Sequence, residues 1–204
     1  CMELAKQADA ICFGTLGQRS QISKNTILNI LQNASDAGSG NCLKVFDINM
    51  RQHFYNKEII HTSLKYANVL KLNDEELPVL VKLLELDNTN NNKSNNEELG
   101  NESYQIAILN NLAKKYSLHF IALTCGSKGS ILLLNGKVSR HPGFKVKIVD
   151  TVGAGDAFTA AVVTGLLKGL DIDEINNMAN SLASYVCSQE GGTPHLPEEF
   201  VLFH

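Results

Sequence analysis

The residues best suited to chemistry lie in the run Asp150-Thr151-Val152-Gly153-Ala154-Gly155-Asp156, which the small-residue stretch Ala157-Phe158-Thr159-Ala160-Ala161 follows. Gly153, Ala154 and Gly155 carry little or no side chain. Their backbone N–H groups can approach an anion closely, and a helix starting here adds the positive end of its dipole. Asp156 is out of place in such a site, since a carboxylate repels phosphate. It has a purpose there if it takes the proton from a hydroxyl that attacks the phosphate. The plainer reading is a tight turn with Asp156 as a helix N-cap, a favoured residue at that position. No G-x-x-x-x-G-K-[ST] run occurs, and neither Gly14-Thr15-Leu16-Gly17 nor Gly153-Ala154-Gly155 extends to G-x-G-x-x-G, which removes the Walker-type and dinucleotide readings.

The elements that must position this run alternate between short β-rich segments and longer stretches of helical period, the pattern of a mostly parallel sheet covered by helices. Strands are expected at Ala10–Phe13, Leu43–Phe46, Val69–Leu72 and Leu118–Leu123, with a further strand through Lys147–Val149 leading into the glycine turn. Ile131–Leu134 and Lys137–Arg140 flank Asn135-Gly136, an antiparallel hairpin signal. Helices are expected through Ile27–Leu31, stopping near residues 37–40, through Ile59–Leu64, and through Ile106–Tyr116. In the last helix Ile175, Met178, Ala179, Leu182, Ala183 and Val186 recur at intervals of three and four. Residues 87–101 hold seven asparagines and few large apolar side chains, so a solvated, flexible insertion is expected there.

Composition narrows the function classes. With 44% hydrophobic and 19% charged residues, the 204 residues suit a single α/β domain spanning 1–204. Eighteen basic against 21 acidic residues give no basic excess, which argues against nucleic acid as partner, and no apolar run is long enough for a membrane span. Five scattered cysteines without a C-x-x-C pair, and no leader-like start, point to the reducing cytoplasm. The six histidines have no metal-ligand spacing and read as structural or surface residues.

The Asp150–Asp156 segment resembles the C-terminal signature of the ribokinase-like sugar kinases, also called the PfkB family, and further segments follow in the family's order from Phe13 to Pro194. That resemblance implies a three-layer α/β/α fold in which Gly153, Ala154 and Gly155 form the anion hole for the transferred phosphoryl group and Asp156 is the base. Asn73-Asp74-Glu75-Glu76 resembles the family's N-x-x-E element, which implies that Asn73 and Glu76 position Mg²⁺ through water, with Lys71 and Asn73 beside the phosphates. The residues alone also fit a helix cap, Asn followed three positions later by Glu.

Asp47-Ile48-Asn49-Met50-Arg51 resembles the D-x-N-x-R segment, implying phosphate contacts from Asn49 and the forked guanidinium of Arg51; a surface ion-pair partner is the plainer reading of Arg51. Thr124-Cys125-Gly126-Ser127-Lys128-Gly129 is similar to the family's T-x-G-x-x-G nucleotide loop, placing Thr124, Gly126 and Gly129 at the nucleotide, and Asn180 matches the position beside adenine. A monovalent cation such as K⁺ is expected at Asp150, Val152, Cys187 and Gly192, though Gly191-Gly192-Thr193-Pro194 also reads as a plain helix-ending turn.

The family's chains are longer. This sequence corresponds to about their C-terminal two thirds, so the N-terminal part and its lid, with most sugar contacts and the homodimer surface of many relatives, are expected outside it. The expected activity is Mg-ATP-dependent phosphorylation of a sugar. Cys12–Arg19 and Phe46–Phe54 look most like fructokinase-type members, which favours fructose over ribose, a keto-deoxy sugar acid or a nucleoside. Arg19 faces either the sugar or solvent. A nucleotide-binding regulatory protein that kept the fold is the other class; it would have no need of a carboxylate beside phosphate.

Overall fold

The computed structural model of the chain describes residues 2–34, 42–86 and 101–200. Its strands form one six-stranded sheet in the order β1-β2-β3-β4-β5-β6, with β1 at Ala10–Phe13, β2 at Leu43–Asp47, β3 at Val69–Asn73, β4 at Phe120–Thr124, β5 at Ser130–Leu134 and β6 at Lys137–His141. The chain divides into two compact units, one of Cys1–Ala122 with Leu133–Gly136 and the other of Leu123–Leu132 with Lys137–His204.

In the first unit β1 pairs with β2 and β2 with β3 in parallel, in a register that sets Asp47 opposite Lys71. Helices α1 (Met2–Gln7), α2 (Gln21–Asn33), α3 (Lys57–Tyr66), α4 (Glu76–Leu84) and α5 (Glu102–Tyr116) belong to this unit. Val69, Leu70, Leu72, Phe120 and Ile121 are all buried, as expected of strands covered on both faces. Phe13 stacks on Phe46 with ring centroids 5.2 Å apart. Asparagine and serine start the helices: Ser20 Oγ accepts from Ser23 N at 3.2 Å, Asn56 Oδ1 from Ile59 N at 2.8 Å and Asn101 Oδ1 from Ser103 N at 2.9 Å. Apart from Asn101, the expected insertion at 87–101 lies outside the described residues, as does the expected helix stop at 37–40.

In the second unit α6 (Ala154–Leu167) packs on α7 (Ile172–Cys187), with Gly165 so close to Ile175 and Met178 that an added Cβ would sit 2.7 Å from the Ile175 side chain. Asp171 caps α7 through a reciprocal box with Glu174. Asn135 and Gly136, both at positive φ (48° and 88°), turn β5 back into β6 as the Asn-Gly pair predicts.

The strand expected at Lys147–Val149 does not form. Residues 142–148 carry no regular structure, Ile148 and Val149 stay 59% and 50% exposed, and the Val149 N–H goes to the Cys187 carbonyl at 2.8 Å instead of a strand. The β-branched run mimics a strand in sequence, but strand propensity measures the fit to a covered sheet surface, which this segment lacks. Among the described residues no helix is long and apolar enough to cross a membrane.

Candidate active site

The glycine turn is held by contact between two backbones. Gly153 has φ +80°, and a Cβ placed on it would lie 2.1 Å from the Gly192 carbonyl oxygen, so only glycine fits. Gly153 is also the N-cap of α6 and supplies no side-chain cap. The N–H groups of the first turn, at Ala154, Gly155 and Asp156, therefore have no intrahelical acceptor. Ala154 N reaches only the Thr151 carbonyl, at 3.4 Å. Asp156 is the third residue of the helix and exposed, not its cap as the plainer sequence reading had it. An open helix N-terminus with a carboxylate in its first turn can bind an anion and accept a proton beside it.

The four residues expected at a monovalent cation come together behind this turn. The Cys187 carbonyl accepts Val149 N at 2.8 Å and Asp150 N at 3.3 Å, Asp150 Oδ1 accepts Val152 N at 3.0 Å, and Gly192 packs on Val152 and Gly153. Burial raises the Cys187 thiol pKa above its ordinary value, and the Asp150 charge adds to the rise, so Cys187 stays a neutral thiol. The oxygen donors left here, carbonyls and the Asp150 carboxylate, suit a hard cation.

Thr124 ends β4 and the loop after it closes through Cys125 N donating to Gly129 O at 2.7 Å. Gly129, at φ +86°, lies against residues 141–143, where a Cβ would come within 1.9 Å of the His141 carbonyl oxygen. Gly126, at φ +55°, has open space instead, and Lys128 is exposed. Asn180 is buried on α7 beneath the start of β5: its Nδ2 donates to Ser130 Oγ at 2.7 Å and to the Asn176 carbonyl at 2.8 Å.

The remaining expected residues gather at the ends of β2 and β3 in the first unit. Glu76 is 7% exposed, and its carboxylate bridges the two strand ends, Oε1 accepting Met50 N at 2.8 Å and Oε2 accepting Asn73 N at 2.9 Å. Asn73 Oδ1 in turn accepts Glu75 N at 3.0 Å and Glu76 N at 2.8 Å, which starts α4. The reciprocal Asn73–Glu76 bonds of the helix-cap reading are present, although the N-cap position of α4 falls to Glu75, which supplies no side-chain cap. Among the described residues no group of three or more His, Cys, Asp or Glu is placed to hold a metal ion. Lys71 Nζ lies 3.2 Å from both Asp47 carboxylate oxygens in a largely buried pair. Arg51 is exposed, its Nε donating to Asn49 Oδ1 at 2.9 Å, with Asn49 at φ +46°. Arg19 is exposed too, reaching the Leu16 carbonyl at 3.4 Å.

Thr15 has no place in the sequence reading, yet it fixes this edge. Fully buried, its hydroxyl lies 2.9 Å from both the Ile48 and Asn49 carbonyls, setting the path of the chain into Arg51. A lone threonine after a strand gives no sequence signal for that. Asn176, Ser130 and Ser139, buried beside Asn180, were also missed; the one available signal was an asparagine four residues before Asn180 on an otherwise apolar helix face.

The chain thus combines parallel strands β1 to β3, a helix N-terminus left open by glycine and a second glycine loop. The profile of the pfkB family carbohydrate kinases matches residues 2–199, and the chain belongs to that family. A Pyrococcus horikoshii protein described as an uncharacterized sugar kinase is 27% identical over 206 residues, covering 96% of this chain and 56% of that protein. The chain thus spans little more than half the length of that relative. The crystal structure of the 2-dehydro-3-deoxygluconokinase of Thermotoga maritima superposes with a TM-score of 0.77 at 19% identity, covering 98% of this chain and 60% of that one. A fructokinase of Vibrio cholerae, solved with fructose, ADP and calcium, gives 0.72 at 20% identity, with 95% and 60% covered. The fold is therefore ribokinase-like, the three-layer α/β/α class expected from the sequence.

Proposed function

We propose that the protein transfers the γ-phosphoryl group of ATP to a sugar hydroxyl, with fructose the first candidate. The observation that carries this reading is the α6 N-terminus, where Gly153 leaves the first-turn N–H groups uncapped and sets the exposed Asp156 carboxylate among them. The sugar oxygen forms a bond to the γ-phosphorus, the bond from that phosphorus to the β–γ bridging oxygen breaks, the hydroxyl proton passes to Asp156, and ADP leaves. The first-turn N–H groups stabilise charge on the phosphoryl oxygens during the transfer. Arg51 and Lys71 add positive charge for the phosphates, Asn49 a neutral hydrogen bond, and the Thr124–Gly129 loop with Asn180 cradles the nucleoside. Mg²⁺, when bound, neutralises phosphate charge and orients the leaving group; Asn73 and Glu76 would hold its waters. K⁺ would sit at Asp150, Val152, Cys187 and Gly192 and support the turn. The reading implies a cytoplasmic protein with ATP and a small sugar as ligands, and a homodimer only by way of the lid that lies outside this sequence.

The test is ADP release by the full-length gene product with Mg-ATP against fructose, ribose, glucose, 2-keto-3-deoxygluconate and adenosine, with and without K⁺. One strong responder is expected, fructose first, and faster turnover with K⁺. Silence across the panel while calorimetry still detects ATP binding would exclude these five acceptors and shift the reading to an untested acceptor or to a nucleotide-binding regulator.

A further inference from the structure

Beneath the Cys125–Gly129 loop four polar side chains are buried together: Asn176 is 1% exposed, Ser130 and Ser139 are each 3% and Asn180 is 6%. Their hydrogen bonds run in one direction. Asn180 Nδ2 donates to Ser130 Oγ at 2.7 Å, Ser130 Oγ donates to Asn176 Oδ1 at 2.6 Å, and Asn176 Nδ2 donates to Ser139 Oγ at 3.0 Å. Asn180 Nδ2 also lies 2.8 Å from the Asn176 carbonyl, a fixed acceptor, so flipping the Asn180 amide would set oxygen against oxygen. The order of donors is therefore fixed through the whole chain.

Four buried polar groups are a costly way to fill space, because apolar side chains of similar volume would pack there without needing partners. What they add is position. Ser130 directly follows Gly129, the residue whose backbone lies against 141–143; Ser139 sits on β6 two residues before His141; Asn176 and Asn180 lie one turn apart on α7. The network ties β5, which the glycine loop enters at Ser130, and β6, whose end Gly129 lies against, to one face of one helix. We propose that Asn176, Ser130 and Ser139 are positioning residues for the nucleotide: they hold the Thr124–Gly129 loop and the Asn180 amide in the arrangement that receives ATP. This inference rests on the kinase reading above and adds to it residues that touch no ligand themselves.

The experiment compares Ser130→Ala, Ser139→Ala and Ser139→Thr with the parent protein, measuring Kd for Mg-ATP by calorimetry, KM for ATP, kcat and Tm. Asp171→Ala, which removes the N-cap of α7 and its pair with Lys137 but none of the bonds of the buried network, serves as a destabilised control. The two alanine variants are expected to raise Kd and KM for ATP by about tenfold, as for a buried network left half satisfied. The expected kcat at saturating ATP is unchanged, Ser139→Thr returns Kd to near the parent value, and Asp171→Ala lowers Tm without moving Kd. Alanine variants that lose Tm but bind ATP like the parent would overturn the positioning role and leave the kinase reading standing. A parent protein that binds no ATP would overturn both.

Discussion

Substituting Gly153 by alanine tests the turn with an internal control. A Cβ on Gly153 would lie 2.1 Å from the Gly192 carbonyl oxygen and 2.7 Å from its Cα, whereas relaxed heavy-atom contacts sit near 3.5 Å, so the two backbones must part by about 1 Å or more. Alanine at φ +80° adds a left-handed cost of about 1–2 kcal/mol. A displacement of that size at the groups that orient a transferring phosphoryl is expected to cost about 10²-fold in kcat. Gly191 has the same kind of backbone, φ +78°, but an added Cβ there meets nothing within 4 Å. Gly191→Ala should therefore show the dihedral cost alone, a fall in Tm of about 2–8 °C for a chain of this size, with turnover kept within a few fold. The assay is coupled ADP release for both variants at saturating ATP and sugar, alongside thermal melts. Equal turnover in the two variants would refute the argument that the Gly153–Gly192 contact sets the geometry of the turn.

Three further outcomes follow from the same kind of geometry. Glu76→Gln replaces one of two acceptor oxygens by an amide NH₂ that faces a backbone N–H, and chemical denaturation should show a loss of about 1–3 kcal/mol; an unchanged midpoint would contradict the bridge to Met50 and Asn73. Gly129→Ala, whose Cβ would meet the His141 carbonyl oxygen at 1.9 Å, should weaken ATP binding by about tenfold or more, while Gly126→Ala, in open space, should change it little; calorimetric titration of both decides. Asp171 is held below the ordinary aspartate pKa, first by its hydrogen bond with Lys137 and then by the Asp173 N–H. Its folded pKa is lowered, so the stability its charge contributes is complete above the ordinary aspartate value and is lost as pH falls through the lowered one. The difference in Tm between the parent and Asp171→Asn should hold steady from neutral pH down and shrink below about pH 4, and a difference independent of pH would remove the charge from the account.

The strands and helices were legible where one physical signal dominated. β1 begins and ends where its apolar run does, at Ala10 and Phe13, and the Asn135-Gly136 pair announced its hairpin. Ile148 and Val149 carried the same strand signal and misled, because β-branching reports compatibility with a sheet and cannot report whether a neighbour strand is there to pair. Gly153 and Asp156 show the same limit at the site. The residue types pointed to an anion turn, but which of the two caps the helix depends on the approach of Gly192, 39 residues away in sequence. The Glu76 bridge was half legible: its cap to Asn73 is local, and its bond to Met50 is not. The Asn176 network was hidden because an asparagine on an apolar helix face reads as a break in the pattern, and only the fold supplies Ser130 and Ser139 as its partners.

In the proposed reaction Asp156 takes the proton from the acceptor hydroxyl. The most direct test of that step is Asp156→Asn in the full-length protein, measuring kcat by ADP release and Kd for Mg-ATP by calorimetry. The amide keeps the shape of the carboxylate but cannot accept that proton, so the account predicts a fall in kcat of about 10²–10⁴-fold with Kd kept within a few fold. Turnover equal to the parent would contradict it, as would a loss confined to ATP affinity.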